Sequence, residues 1–203
     1  MDLVQQALLS IPVLLLGLTI HEFSHGYVAY RFGDPTAKDA GRLTLNPLKH
    51  LDLFGVLVFF LSQFRFGWAK PVPVNPYNLR NPRVADFWIS AAGPLSNIAQ
   101  AIVFAILFRA VTGSAQNIPE AVVYLLFYGV TINLTLAFFN LIPLYPLDGS
   151  HMLKNILPPE LAMKMSGFDN IAPFLLMILI FAGGVWFIMG PFVRPLIKIL
   201  TGV

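Results

Sequence analysis

The stretch that decides the fold is LVQQALLSIPVLLLGLTIHEFSHGYVAY, running from Leu3 to Tyr30. A helix of these 28 residues reaches about 42 Å, enough to cross a hydrocarbon core about 30 Å thick. Gln5 and Gln6 stand near its start, and a polar cluster, His21-Glu22-Phe23-Ser24-His25, sits near its end. Gly33-Asp34-Pro35 closes the run with turn chemistry.

The composition carries the same message. The 203 residues are 57% hydrophobic and 11% charged, against about 45–50% and about 25% in soluble domains. One small core cannot hide that much apolar side chain, so the chain reads as an integral membrane protein. At about 20 residues per spanning helix, no room is left for a large extramembrane domain. A net charge of +3 without a basic patch argues against a nucleic-acid partner. The absence of cysteine removes disulfides, thiol nucleophiles and thiolate metal sites. The N-terminus lacks the basic region and small-residue cleavage site of a signal peptide.

Outward from the first run, Leu51–Phe64 is a shorter apolar segment, suited to a re-entrant or interfacial element rather than a span. In Arg65–Arg83, prolines forbid a helix, and Pro71-Val72-Pro73-Val74 predicts extended, edge-strand-like chain. Residues 84–111, 120–144 and 171–190 read as further spans, with Gly190-Pro191 expected to break or kink the last before the Arg194/Lys198 tail. The expected fold class is an all-α membrane protein. It is a polytopic bundle of about four full spans plus a re-entrant or interfacial segment and a short extended element. Residues 1–203 read as a single membrane-embedded domain with no internal repeat.

Ionisable residues inside spans are costly and mark functional sites by default. In HEFSH the two histidines stand at i and i+4, on one helix face, where both imidazoles can reach one ion. This is the HExxH pattern of zinc metalloproteases, in which the glutamate serves as base. A catalytic zinc needs a third protein ligand, and without cysteine it must be His, Asp or Glu. Glu120 and Glu160 lie at span ends or in surface segments. His50 and His151 read as solvated, and a supporting role beside Asp148 stays open for His151. Asp148 follows Pro143 and Pro146 and precedes Gly149. Alone it is either a turn aspartate or a ligand; beside an incomplete zinc site, the ligand reading prevails.

Three ordered motifs make the chain resemble the site-2 protease family of intramembrane zinc metalloproteases. They are His21–His25, Gly93-Pro94-Leu95-Ser96-Asn97, and Asn140-Leu141-Ile142-Pro143-Leu144-Tyr145-Pro146-Leu147-Asp148-Gly149. The resemblance implies that His21, His25 and Asp148 bind one Zn2+ ion and that Glu22 is the catalytic base. It implies that Asn97 and Asn140 hold the substrate backbone. The implied substrate is a transmembrane or membrane-associated protein, hydrolysed by a metal-activated water, and the chain looks like a compact member without a PDZ-like insertion. A membrane metal transporter and an inactive scaffold are the competing readings.

The ligands must meet at one depth. His21 and Asp148 both sit late in their runs, with two full spans between them, so residues 51–64 cannot also cross. Arg31, Lys38, Arg42, Lys49, Arg65, Lys70, Arg80, Arg83, Lys154 and Lys164 then share the motif side. The positive-inside rule makes that side cytoplasmic, and the membrane is the plasma membrane if the source is prokaryotic. Arg194 and Lys198 would fall outside, against the rule.

Overall fold

The computed structural model describes residues 3–61, 67–113 and 118–203. Helix α1 covers Leu3–Arg31 and α2 Thr36–Asp39; α3 (Leu53–Leu61) follows, then α4 (Pro82–Thr112) and α5 (Glu120–Asn140). The chain continues with α6 (Asp148–Ile156), α7 (Pro159–Ser166), α8 (Ala172–Phe181) and α9 (Gly184–Thr201). Four of these, α1, α4, α5 and α9, are long and apolar enough to cross a membrane. The protein is an all-α, multi-pass membrane bundle.

Helices α1, α4 and α5 pack against one another, and α9 lies on α5. Lipid supplies no hydrophobic drive between helices, so close backbone approach matters. Ala101 and Ala105, one turn apart, bury against Val130 and Leu134 of α5 and Met189 and Val193 of α9. A methyl group on Gly129 would run into the Phe104 ring, and one on Gly17 would lie 3.0 Å from Asn133 Oδ1. Leu8, Ile106 and Phe187 instead stand exposed on the outer faces, where lipid covers them.

The segment read as non-crossing is short. Helix α3 has nine residues, about 14 Å of rise. Leu51 and Ala69 form an antiparallel bridge, and Lys70 N–H donates to the His50 carbonyl at 2.8 Å. The run therefore comes back to where it began. Residues 62–64 of the expected segment, and Arg65 and Phe66 of the stretch after it, lie outside the described residues. The Gly67–Val74 stretch is extended but forms no strand beyond that bridge among the described residues.

Two expectations are corrected. The break in the last apolar region falls at Gly183, not at Gly190-Pro191. Gly183 takes a left-handed conformation (φ 73°), and α9 runs on through Pro191 and Pro195. Two adjacent glycines both weaken the helix and permit that turn. His50 is not a solvated loop histidine. It is 2% exposed and its Nε2 meets the Thr44 carbonyl at 2.8 Å.

The turn after α1 is rooted by Asp34, which is fully buried. Its carboxylate accepts from Thr36 N–H and Thr36 Oγ1, from Asn75 N–H at 2.7 Å and from Asn78 Nδ2 at 2.9 Å. It thereby ties the end of α1 to the extended segment. Asp34→Ala strands four donors and is expected to cost about 2–4 kcal/mol of stability, against about 0.5 kcal/mol or less for exposed Asp39→Ala. Thermal unfolding in detergent checks this; equal effects would deny Asp34 that role.

Candidate metal centre

His21 and His25 sit in the C-terminal half of α1 and face α4. Gly93 makes that approach possible. A Cβ there would lie 2.5 Å from His21 Nε2 and from His25 Nε2. Pro94, next in sequence, lacks the N–H that would bond the Ser90 carbonyl, which loosens α4 on the same turn.

Each imidazole is anchored through Nδ1. His21 Nδ1 lies 2.6 Å from Asn97 Oδ1, and His25 Nδ1 lies 2.6 Å from the Ile89 carbonyl. A carbonyl oxygen only accepts, so Nδ1 carries the proton and Nε2 presents a lone pair. The two Nε2 atoms are 2.9 Å apart. Asp148 Oδ2 lies 3.2 Å from the first and 3.4 Å from the second, and no other described residue donates a hydrogen bond to it. The three donor atoms lie within 4.8 Å of one another, forming a group able to hold a metal ion.

Asp148 reaches this point because it opens α6 directly after the turn that ends α5. Gly149 lies under that turn, where a Cβ would collide with the Leu141 carbonyl oxygen. Ser150, fully buried, donates to the Leu147 carbonyl at 2.8 Å. The first turn of α4 grips the far end of α6. Arg83 donates to the Asn155 and Leu157 carbonyls, and Asp86 accepts from Asn155 Nδ2 at 2.5 Å. His151 Nδ1 lies 3.5 Å from the same Asp86 carboxylate oxygen. The hydrogen bond and charge of Asp86 raise the His151 pKa above its ordinary value, against the opposing effect of burial.

Glu22 is 8% exposed, and its Oε2 accepts the Val72 N–H at 2.8 Å. The segment that supplies this donor is held by Arg42, whose Nη2 donates to the carbonyls of Lys70 (2.6 Å) and Pro71 (3.2 Å). Asn97 is fully buried; its amide donates to Asn133 Oδ1 and the Gly17 carbonyl. Asn140 is half-buried and donates to the Leu136 carbonyl on its own helix. The structure thus brings His21, His25, Asp148 and Asn97 together. Sequence reading missed Arg42, Asp86 and Asn133. The signal for Asn133 was one carboxamide in the apolar run of α5; Arg42 and Asp86 gave none beyond their charge.

A polytopic bundle in which an HExxH helix and a distant aspartate converge on one buried point is the architecture of an intramembrane metallopeptidase. The chain belongs to peptidase family M50, the site-2 protease family, whose model matches residues 9–182. It is 40% identical over 170 residues to YwhC of Bacillus subtilis, covering 82% of this chain and 77% of that one. It is 33% identical over 152 residues to Rip2 of Mycolicibacterium smegmatis, covering 72% of this chain and 56% of Rip2. A third relative, MJ0611 of Methanocaldococcus jannaschii, is 31% identical over 141 residues, 68% of this chain and 65% of that one. All three are named as candidate zinc metalloproteases. No solved structure matches the chain.

Gly93→Ala places a methyl group against both imidazoles and is expected to abolish zinc binding, read as metal per chain after purification in detergent. Retention of zinc would mean that the histidines do not share an ion against α4. The His151–Asp86 contact has a pH signature. Because the folded-state pKa of His151 is raised, its stabilisation is complete below the unfolded value of about 6.5 and fades as pH rises through the folded value. His151→Ala is therefore expected to lower the unfolding temperature at pH ~6 and much less at pH ~9.

Proposed function

We propose that His21, His25 and Asp148 hold one zinc ion and that Glu22 is the general base of a peptide-bond hydrolase acting within or beside the bilayer. The carrying observation is the convergence of His21 Nε2, His25 Nε2 and Asp148 Oδ2 on one buried point, with both Nδ1 atoms already engaged by oxygen acceptors. Two imidazole nitrogens and a carboxylate oxygen set this close make a donor set suited to one cation. Membership of a peptidase family favours this reading over a metal transporter or an inactive scaffold.

When bound, zinc supplies Lewis acidity that polarises the substrate carbonyl and makes a water more acidic. The protein does the rest. Val72 N–H holds one oxygen of Glu22, leaving the other to take a proton from the attacking water. As the C–N bond breaks, Glu22 returns that proton to the departing amine nitrogen. Water must reach the centre; the Asp148 side chain is 18% exposed, although the oxygen facing the histidines is buried. A substrate helix hides its carbonyls in backbone hydrogen bonds, so the scissile stretch must be extended before it reaches the centre. Asn140, with its amide spent on its own helix, offers its oxygen to that stretch. Asn97, expected to share this task, is buried behind His21 and orients the ligand.

We assign the motif end to the cytoplasm, with residues 1–203 acting as one membrane-embedded domain. Arg31, Lys38, Arg42, Lys49, Lys70, Arg80, Arg83, Lys154 and Lys164 flank that end. Arg109 donates to the carbonyls of Ile199 and Leu200, which sets the C-terminus of α9 beside that of α4, at the opposite end. Only Arg109, Arg194 and Lys198 lie toward it, so the charge asymmetry survives. The substrate that fits is a transmembrane or membrane-adjacent protein.

Zinc per chain should be near one in the wild type and in Glu22→Gln and fall sharply in His21→Ala and Asp148→Ala. Cleavage of a transmembrane peptide in detergent should drop by about 10²–10⁴-fold in Glu22→Gln. Zinc indifferent to Asp148 would sink the three-ligand centre, and an active Glu22→Gln would sink the base.

A further inference from the structure

Asn133 lies on α5 and touches neither histidine, yet it joins the centre through a hydrogen-bond relay that runs by way of α4. His21 Nδ1 meets Asn97 Oδ1 at 2.6 Å, Asn97 Nδ2 donates to Asn133 Oδ1 at 2.9 Å, and Asn133 Nδ2 donates to the Gly129 carbonyl at 2.9 Å. A branch from Asn97 Nδ2 reaches the Gly17 carbonyl at 3.2 Å. Both asparagines are fully buried. Both terminal acceptors are backbone carbonyls, which can never donate. That fixes the sense of every link. Asn133 must turn its NH2 toward Gly129 and its oxygen toward Asn97. Asn97 must then turn its NH2 toward Asn133 and its oxygen toward His21. His21 must carry its proton on Nδ1, which frees Nε2 for a metal.

We infer that Asn133 is a positioning residue for metal binding, fixing the tautomer and ring orientation of His21 through Asn97. Gly17 belongs to the same device, because a side chain there would press on Asn133 Oδ1 at 3.0 Å. The inference rests on the zinc reading above. Without the Asn133 oxygen, the Asn97 amide loses one of the two acceptors that hold its orientation. A flipped Asn97 offers NH2 to His21, moves the histidine proton to Nε2 and closes that atom to zinc. Partners of this kind, standing behind a metal-bound histidine, are worth about 10–100-fold in metal affinity.

The test is zinc transfer from the loaded protein, in detergent, to a competing chelator of known affinity. The proteins are wild type, His21→Ala, Asn133→Leu, Asn133→Ser and, as control, Thr131→Val. The hydroxyl introduced by Asn133→Ser can satisfy itself on its own helix, as those of Thr131 and Thr135 do, but is too short for Asn97. That variant keeps the test decisive if Asn133→Leu fails to fold. The expected result is affinity lower by about 10-fold or more in each folded Asn133 variant, with unfolding temperatures close to wild type and Thr131→Val unchanged. Wild-type affinity in either folded Asn133 variant overturns the relay. An equal loss in Thr131→Val overturns it too, since the effect would then be general to α5. A wild type that binds no zinc, or binds it as His21→Ala does, instead removes the metal centre itself.

Discussion

Three lone pairs aimed at one buried point are the constraint on which the structure turns. His21 Nε2, His25 Nε2 and Asp148 Oδ2 stand 2.9, 3.2 and 3.4 Å from one another. Desolvation at membrane depth makes each of them costly. The surrounding residues hold this arrangement in place of relieving it. Ile89 and Asn97 hold the imidazoles from behind, Gly93 removes the Cβ that would part them, and Gly149 lets α6 begin close enough for its first carboxylate to reach in. His21 and His25 on α1 and Asp148 on α6 would hold a cation there, which would tie those two helices together.

The bundle around the centre is built to tolerate this. Between helices in lipid, affinity comes from close packing and from polar contacts that leave nothing unpaired. Gly17, Ala101, Ala105 and Gly129 supply the first. The second is met locally by several hydroxyls that have no partner across the interface. Thr19 and Ser24 on α1 return their hydroxyls to the carbonyls of Leu15 and Ile20, four residues back. Asn97 and Asn133, which do reach across, lead to a histidine of the centre.

How much of this was legible depended on whether the signal was local. The HEFSH spacing names its own helix face, and the run around it names its environment, so the first half of the centre could be read directly. Asp148 became legible through chemistry, because a zinc site lacking a ligand and a chain lacking cysteine leave few candidates. The non-crossing of the 51–64 run followed from requiring both motifs at one end, and the Leu51–Ala69 bridge agrees. What escaped was set by tertiary contacts. His50 lies between Lys49 and Leu51 in a basic loop and reads as solvated; in the fold its ring is buried with Nε2 on the Thr44 carbonyl, and its backbone carbonyl is held by Lys70 N–H from twenty residues on. Glycine and proline both interrupt the last apolar region, and sequence alone does not rank them. The bundle absorbs Pro191 and Pro195 within α9 and uses the left-handed turn that Gly183 permits. Asn133 reads as one polar residue in an apolar helix until α4 is set beside it.

The prolines at 71 and 73 mean more than the absence of a helix. Among residues 71–73 only Val72 has an N–H, and that N–H is spent on Glu22. Along these three residues the segment can offer a partner chain acceptors but no further donor. A sheet edge needs both. The same property keeps the segment from being drawn into a ladder and leaves it as a strap over the glutamate. Its position is inherited from the loop before it. Arg42 holds the carbonyls of Lys70 and Pro71, the His50 carbonyl holds Lys70 N–H, and Asp34 roots both the loop and Asn75. The polar stretch between the first two apolar runs is therefore part of the apparatus that aims Glu22, and the site extends well beyond its three motifs.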